Sequence, residues 1–523
     1  MPVDYVPYVN EMSECFLEAC GALGYRRNLD FNDWSAPQDG FGRFRVTQNS
    51  GERCSAYNAY VQKPKTDKRS NLEVMPGVHV TKVSLEGAEH ELCASGVEYM
   101  DASGQPAKAQ LSPGGEVLLC AGAVQSPQVL MLSGLGPKGH LDELGIPVRK
   151  DMPGVGEGLQ DHPAVLVSYG SKKKVSVTDE IRLMGSSLPN PITLMRWLLF
   201  KRGALTSVAC EFGGFFRTAK EHSHPDLQVR FIAARAMSAD GISTLEKLGA
   251  GDKFYSGYTT QIIAARPKSS GRVRLRSADP MAKPVLENIH LSNEADVATL
   301  REGIKLGRKI CQAPAFDSYR TEEVYPSAAV QSDAEIDAFC KQTVHSANAL
   351  TGSCRMGGDN DGRAVLDPEL RVRGVGSLRV IDASAMPHII GGQTCAPVIM
   401  MAEKGADMVL RQRAALKSYS LQLQQAQQQA AMNSPAAEAP APAAEPRLSG
   451  GFFSNMFGFG GAEAAPVAAA PSGSMPILER SHSSAERVLG EIRAAAEADE
   501  GLCEGSTTPR IDVRERRKSS AVI

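Results

Sequence analysis

The 523 residues hold no CxxC pair and no His, Cys, Asp or Glu run at metal-ligand spacing, so the sequence offers no metal site. Its eleven cysteines are scattered, the usage expected of mostly buried thiols in a reducing compartment. No apolar run reaches the roughly 18 residues that a membrane-spanning helix needs. Net charge is only -2, so no excess of either sign points to nucleic acid. The first residues, PVDYVPYVNEM, are polar and acidic and lack the pattern of a signal or transit peptide. A GxGxxG turn between a strand and a helix is also missing: Gly154, Gly156 and Gly158, like Gly374 and Gly376, read as turns. What is present is a chain that is 42% hydrophobic, enough for a large core and about two to four domains.

The most informative stretch runs from His345 to Leu410. Within it LRVIDASAMP is an apolar run closed by Asp382, Ala383, Ser384 and Pro387, the pattern of a buried strand ending at a turn. A Gly-Gly-Gln loop follows, then apolar residues at helical spacing from Ala396 to Leu410. A strand, a small-residue turn and a helix N-terminus make a seat for an anion such as a pyrophosphate, though an ordinary parallel-sheet crossover has the same local pattern. Upstream, NEMSECFLEACGALGY predicts a helix, and Leu72 to Leu85 and Glu116 to Leu119 predict strands. Residues 414–523 are Gln-rich and Ala/Pro-rich and are expected to be largely disordered.

The His345–Leu410 stretch resembles the C-terminal signature of the glucose-methanol-choline (GMC) flavoprotein oxidoreductases. GAVQSPQVLMLSGLGP at Gly122 to Pro137 resembles that family's second signature, PGVGEGLQDHP follows it at the usual distance, and GERCSAYNAYVQ is an earlier match. The resemblance covers most of residues 11–413. It implies an α/β fold in which a GMC-type FAD domain, without its N-terminal βαβ unit, is interleaved with an α+β substrate domain on a mixed or antiparallel sheet. The implied segments are 1–70 (helix and FAD-contact segment), 71–163 (FAD domain), 164–344 (substrate domain), 345–413 (FAD domain again) and 414–523 (tail). FAD is the implied cofactor, with Val80, Asp382, Ala383, Gln393 and Thr394 as its contacts. Compared with its relatives the chain is expected to begin late, after the phosphate loop.

Alcohol-oxidising members of that family place a histidine beside the flavin to take the hydroxyl proton, with a second His or Asn nearby. Here those positions fall on Ala349 and Gln393, neither of which is a base. HSANALTGSCRMG, Gly391-Gly392-Gln393-Thr394, RPKSSGRVRLRSADP, and CEFGGFFRT followed by PDLQVRF resemble instead the fatty acid photodecarboxylases, algal light-driven members of the superfamily. That resemblance puts the essential cysteine on Cys210 and the carboxylate-binding arginine on Arg230. Asn348 and Gln261 match substrate contacts, and Leu245 and Cys395 line the channel where relatives have Tyr and Gly. It implies light-driven loss of CO2 from a long-chain fatty acid, a plastid location and peripheral membrane contact, with no nucleic-acid partner.

The residues have plainer readings too. Cys210 reads equally as a small core residue, Arg230 in the alternating strand DLQVRFIA as an outward solvated charge, and Asn348 as the cap of a turn. Two other functions stay open: a GMC enzyme oxidising an alcohol, and a lipid-binding remnant without cofactor.

Overall fold

The computed structural model describes residues 1–62, 69–183, 189–241 and 255–433. They divide into a large unit, Met1–Leu111 with Glu116–Met408, and a second comprising Ser112–Gly115 and the chain from Val409.

Within the large unit the central feature is a seven-stranded antiparallel sheet. Gly40–Arg43, Phe212–Phe216, Leu227–Ile232, Gly257–Ala264, Pro163–Ser171 and Arg320–Tyr325 lie side by side in that order. The seventh strand, His345–Ser346, pairs with the start of Pro163–Ser171. Successive side chains in a strand point to opposite faces, so every strand contributes to two environments. Leu227, Val229, Phe231, Tyr258, Ile262, Val165 and Val167 fill one face and pack into a single core with Phe16, Leu300, Ile304 and Phe339. Those partners come from the helices Glu11–Ala22, Glu294–Cys311 and Asp333–Thr343. Glu294–Cys311 is capped by Asn293, whose side chain accepts from the Ala295 amide, and its buried residues recur at helical spacing. Gly303 lets it lie close on the sheet, since a Cβ there would stand 2.2 Å from Ile262 Cγ2. With this face covered, the residues of opposite parity are left to line the other.

A second core gathers Val83, Leu119, Leu130, Met131, Leu159, Val365, Leu366, Val380 and Ile381. It holds the parallel pair Val117–Leu119 and Leu378–Val380, the antiparallel meander of His79–Glu86, Cys93–Met100 and Pro106–Gln110, and the helix Gly122–Leu132. The two cores alternate along the chain. The parallel pair and helices, with the separate antiparallel sheet, make the α/β arrangement expected of the sequence.

The last helix is longer than its sequence pattern predicts. It runs from Cys395 to Asn433 and so crosses the expected start of the disordered tail at residue 414. The reason is local: AALKSYSLQLQQAQQQAAM has too few apolar residues for a core, but consists largely of strong helix formers without Gly or Pro. Residues 434–523 and Leu245 lie outside the described residues.

Candidate active site

Two strand ends build the first half of the site. Val117–Leu119 and Leu378–Val380 stop side by side, and the chain leaves the first into the helix Gly122–Leu132. From the second it reaches Asp382, which is buried. One Asp382 oxygen accepts from the Gly122 amide at 2.9 Å and the Ser126 hydroxyl at 2.5 Å. The other accepts from the Ser384 amide at 2.8 Å and its hydroxyl at 2.5 Å. Its carboxylate is therefore fully engaged by the protein and ties the helix N-terminus to the end of the second strand. Gly122 has φ +86°, and no heavy atom lies within 4 Å of where a Cβ would stand, so the helix N-terminus faces open space. Gly392 is equally open. Val80, paired with Tyr99, is half-buried on the strand His79–Glu86, which is joined to the end of this helix where Val83 donates to the Ser133 hydroxyl. The Ala383 carbonyl accepts from the Gly352 amide at 3.1 Å, and Thr394 accepts from Val398 in the first turn of the Cys395–Asn433 helix.

The second half is the open face of the large sheet. Arg230 stands directly opposite Gln261 and Gly213 on the neighbouring strands. Its Nη1 donates to Gln261 Oε1 at 3.3 Å, while Nη2 is enclosed and makes no hydrogen bond among the described residues. Gln261 Nε2 lies 3.1 Å from His345 Nε2, and Gln228, two residues before Arg230, accepts from Gln393 Nε2 at 3.2 Å. Cys210 precedes the strand that carries Gly213, and its thiol donates to the Val208 carbonyl at 3.5 Å. Burial pushes the Cys210 thiol up and Arg230 partly opposes that; burial pushes the Arg230 guanidinium down and Cys210 partly opposes that. The two groups are thus near enough to affect each other's ionisation. Phe215, on the Arg230 face, packs with Phe31 at 5.5 Å and Phe44 at 6.2 Å between ring centroids, an apolar wall beside the charged group.

Between these halves lie Asp161 and His162. Burial works to raise the Asp161 carboxyl, but hydrogen bonds with His290, Ser346 and Ala349 outweigh it and hold the group below its ordinary value. His162 is fully buried; its Nε2 meets the Ile390 carbonyl at 2.9 Å, and Nδ1 has no hydrogen-bond partner among the described residues. Burial pushes His162 below the ordinary histidine value, so it is neutral with Nδ1 as an acceptor. Thr351 Oγ1, beside Gln160, is likewise buried and unmatched.

Two family profiles match this chain, the N-terminal GMC oxidoreductase domain over residues 1–164 and the C-terminal one over 267–402, and the chain belongs to the GMC oxidoreductase family. Among individual relatives, the chloroplastic fatty acid photodecarboxylase of Chlamydomonas reinhardtii is 40% identical over 411 residues, which are 77% of this chain and 67% of that one. An oxygen-dependent choline dehydrogenase of Photobacterium profundum is 38% identical over 77% of this chain and 66% of that one. The chain thus spans about two thirds of the length of the curated relatives it matches. Of solved structures, pyridoxine 4-oxidase from Mesorbium loti matches with TM-score 0.63 and 25% identity over 78% of this chain and 71% of that one. Formate oxidase of Aspergillus oryzae RIB40 matches with TM-score 0.70 and 23% identity over 79% and 73%, a likeness of fold.

FAD is the cofactor of this flavoprotein family. The residues present fit it. Open space before the Gly122 helix and at Gly392 admits a dinucleotide, and the unmatched His162 Nδ1 and Thr351 Oγ1 suit a planar group with hydrogen-bonding edges.

The structure brings Arg230, Gln261 and, through Gln228, Gln393 to one face, leaves Cys210 just before the strand that pairs with Arg230's own, and sets Asp382, Ala383 and Thr394 at the strand ends and the start of the last helix. Asn348 is exposed with φ +61°, its amide donating to Ser346 Oγ at 2.9 Å, and Cys395 is exposed at the first turn of its helix. Ala349 is buried and its amide donates to Asp161 Oδ1 at 2.9 Å. Sequence reasoning missed Gln228 and His162. The alternation that placed Arg230 would have placed Gln228 beside it, and His162 stands inside the quoted motif PGVGEGLQDHP.

Proposed function

We propose that this chain is an FAD-dependent, light-driven decarboxylase of long-chain fatty acids. The observation that carries the reading is Arg230: a half-buried guanidinium with one enclosed nitrogen unmatched among the described residues, on a site where Ala349 and Gln393 supply no base. A planar, permanently charged fork suits a carboxylate and holds it ionised through charge-assisted hydrogen bonds of about 1.5–3 kcal/mol each. The tail contributes more affinity. About ten methylenes buried at roughly 0.8 kcal/mol each give on the order of 8 kcal/mol, with Phe31, Phe44 and Phe215 as the wall nearest the head. Bound and lit, the flavin supplies one-electron chemistry. The carboxylate loses one electron, its bond to the chain breaks, CO2 leaves, and the alkyl radical regains an electron and a proton. The net change, acid to hydrocarbon plus CO2, needs no external oxidant. Burial keeps the Cys210 thiol protonated, which suits the role this reading gives it toward the alkyl radical.

The test is hydrocarbon formation by the FAD-loaded protein from palmitate under blue light and in darkness. Cys210→Ser is expected to retain flavin and lose the light-dependent product. A second reading, alcohol oxidation, is supported by the choline and alcohol dehydrogenases among the chain's relatives. Dark alcohol oxidation without photoproduct would establish it in place of the first. No bound flavin would mean a lipid-binding remnant.

A pH limb follows from Gln261. Arg230 donates only, so Gln261 turns Oε1 toward it and presents its amide hydrogens to His345 Nε2, which must accept. His345 is then neutral with its proton on Nδ1, toward the Thr343 carbonyl at 3.3 Å. Burial is the main cause that pushes His345 below its ordinary value, aided by His290 and opposed by the Thr343 carbonyl, Asp240 and Asp161. The contact is intact above the ordinary histidine value of about 6.5 and is lost as pH falls from there through the lowered value. The unfolded chain binds the proton more readily, so stability declines in the same window. KM for the fatty acid is expected to rise on that acid limb and to stay flat in His345→Gln.

A further inference from the structure

The helix Pro191–Phe200, PITLMRWLLF, is amphipathic in the opposite sense to a helix packed on a protein core. Its uncharged polar groups face inward. Asn190 caps it at Ile192 N and donates to the Glu180 carbonyl at 3.1 Å, Thr193 donates to the same carbonyl at 2.8 Å, and Trp197 Nε1 donates to the Gly51 carbonyl at 3.3 Å. Its large apolar side chains face out: Ile192 is 77% exposed, Met195 53%, Leu198 51%, Leu199 65% and Phe200 67%. The next turn continues the pattern with exposed Leu205 and Val208, and Val208 is the hydrogen-bond acceptor of Cys210. So the apolar surface leads along the chain to the proposed reactive face.

The charge around this patch is positive. Arg196 and Arg202 are exposed, make no ion pair among the described residues, and converge with Pro7, Tyr8, Val9 and Gly203 on an open cleft of about 480 Å³. Lys201 lies 3.9 Å above the Trp197 ring and pairs with Glu52 at 2.7 Å. Glu180, the other carboxylate bordering the helix, accepts from the Tyr8 hydroxyl. Apolar side chains standing outward beside unpaired arginines match an anionic lipid surface: hydrocarbon takes the side chains, and headgroup phosphates take the guanidinium groups.

We infer that Pro191–Phe200 docks the protein on an anionic lipid bilayer, with Ile192, Met195, Leu198, Leu199 and Phe200 in the interface and Arg196 and Arg202 on headgroup phosphates. Docking gives a substrate that partitions into lipid a short path to Cys210 and Arg230. It goes beyond the reaction reading and does not depend on it.

The test is co-flotation of the FAD-loaded protein with vesicles of phosphatidylcholine alone and of phosphatidylcholine with phosphatidylglycerol, followed by protein staining. Wild type is expected to float with the anionic vesicles and to be released by salt. Leu199→Glu with Phe200→Glu is expected to weaken binding by about tenfold or more on both vesicles. Arg196→Gln with Arg202→Gln should remove only the preference for anionic lipid. These side chains are exposed, so circular dichroism and flavin content should match wild type in both variants. Failure of wild type to float, or equal flotation of the Leu199/Phe200 variant, would overturn the inference. So would a dimer in sedimentation that Phe200→Glu dissociates while no vesicle binding is seen, because the patch would then join two copies.

Discussion

Arg230→Ala is expected to lower kcat/KM for light-dependent hydrocarbon formation by about 100-fold or more, and to do so without unfolding the protein. The size follows from two charge-assisted hydrogen bonds of roughly 1.5–3 kcal/mol each, at about 1.4 kcal/mol per tenfold. The second half of the expectation is the sharper one. Arg230 stands half-buried with Nη2 unmatched among the described residues, and burial pushes its guanidinium down, so the free protein carries the cost of desolvating a charge that the Gln261 contact and Cys210 offset only in part. Removing that charge should leave the melting temperature unchanged or raised. An Arg holding the fold together would behave the opposite way, with activity and stability falling together. Arg230→Lys should be intermediate, since an ammonium keeps the charge but not the planar fork. The measurement is product yield under blue light by gas chromatography beside thermal unfolding on the same preparation. Full activity in Arg230→Ala would sink the decarboxylase reading.

How far the sequence showed this site depends on the range of the contact. Strand alternation in DLQVRFIA places Arg230 opposite Leu227, Val229 and Phe231, and those three do pack in the core while Arg230 is on the other face. The strand end at Asp382 and the helix after it are equally local, and the structure has both. Alternation cannot say what covers the second face, so an outward solvated Arg230 and an enclosed one had the same pattern. That was decided by Gln261, 31 residues away, and by the strand pairing that sets them directly opposite. The Gln261–His345 contact spans 84 residues and joins separate strands, beyond any periodicity. In sequence His345 lies close to the expected base position but out of register with it; in the fold it accepts from the Gln261 amide. Asp382 is legible in sequence as the end of a strand but not in its use, because the four donors that saturate its carboxylate come partly from Gly122 and Ser126, more than 250 residues earlier. The helix that reaches Asn433 shows the reverse limit: low hydrophobicity argues against a packed core, not against a helix.

Glu116→Ala is expected to cost about 3–5 kcal/mol of unfolding free energy, the usual loss when one partner of a buried ion pair is removed. Arg379 is the largest fully buried side chain, and its Nε lies 2.6 Å from Glu116 Oε2 with the two side chains only 1% and 12% exposed. Nη1 donates to the Glu369 carbonyl at 2.5 Å. Arg379 lies in the strand Leu378–Val380 that leads to Asp382, and Glu116 immediately precedes the parallel strand that leads to Gly122. The pair therefore fastens together the two strands whose ends meet at the proposed cofactor seat. Losing Glu116 leaves the guanidinium buried with less than its complement of acceptors, and the seat should loosen, so the variant is also expected to retain less FAD after gel filtration. A paired replacement, Glu116→Leu with Arg379→Met, removes both charges together and should restore most of the stability. The two outcomes separate charge burial from packing, because a packing role would make the double variant worse than either single one. Urea unfolding followed by tryptophan fluorescence gives the free energies, and a loss below about 1 kcal/mol in Glu116→Ala would place this pair with surface ion pairs instead. Salt provides the independent check. A pair shielded from solvent is screened little, so the difference between wild type and Glu116→Ala should persist at high ionic strength.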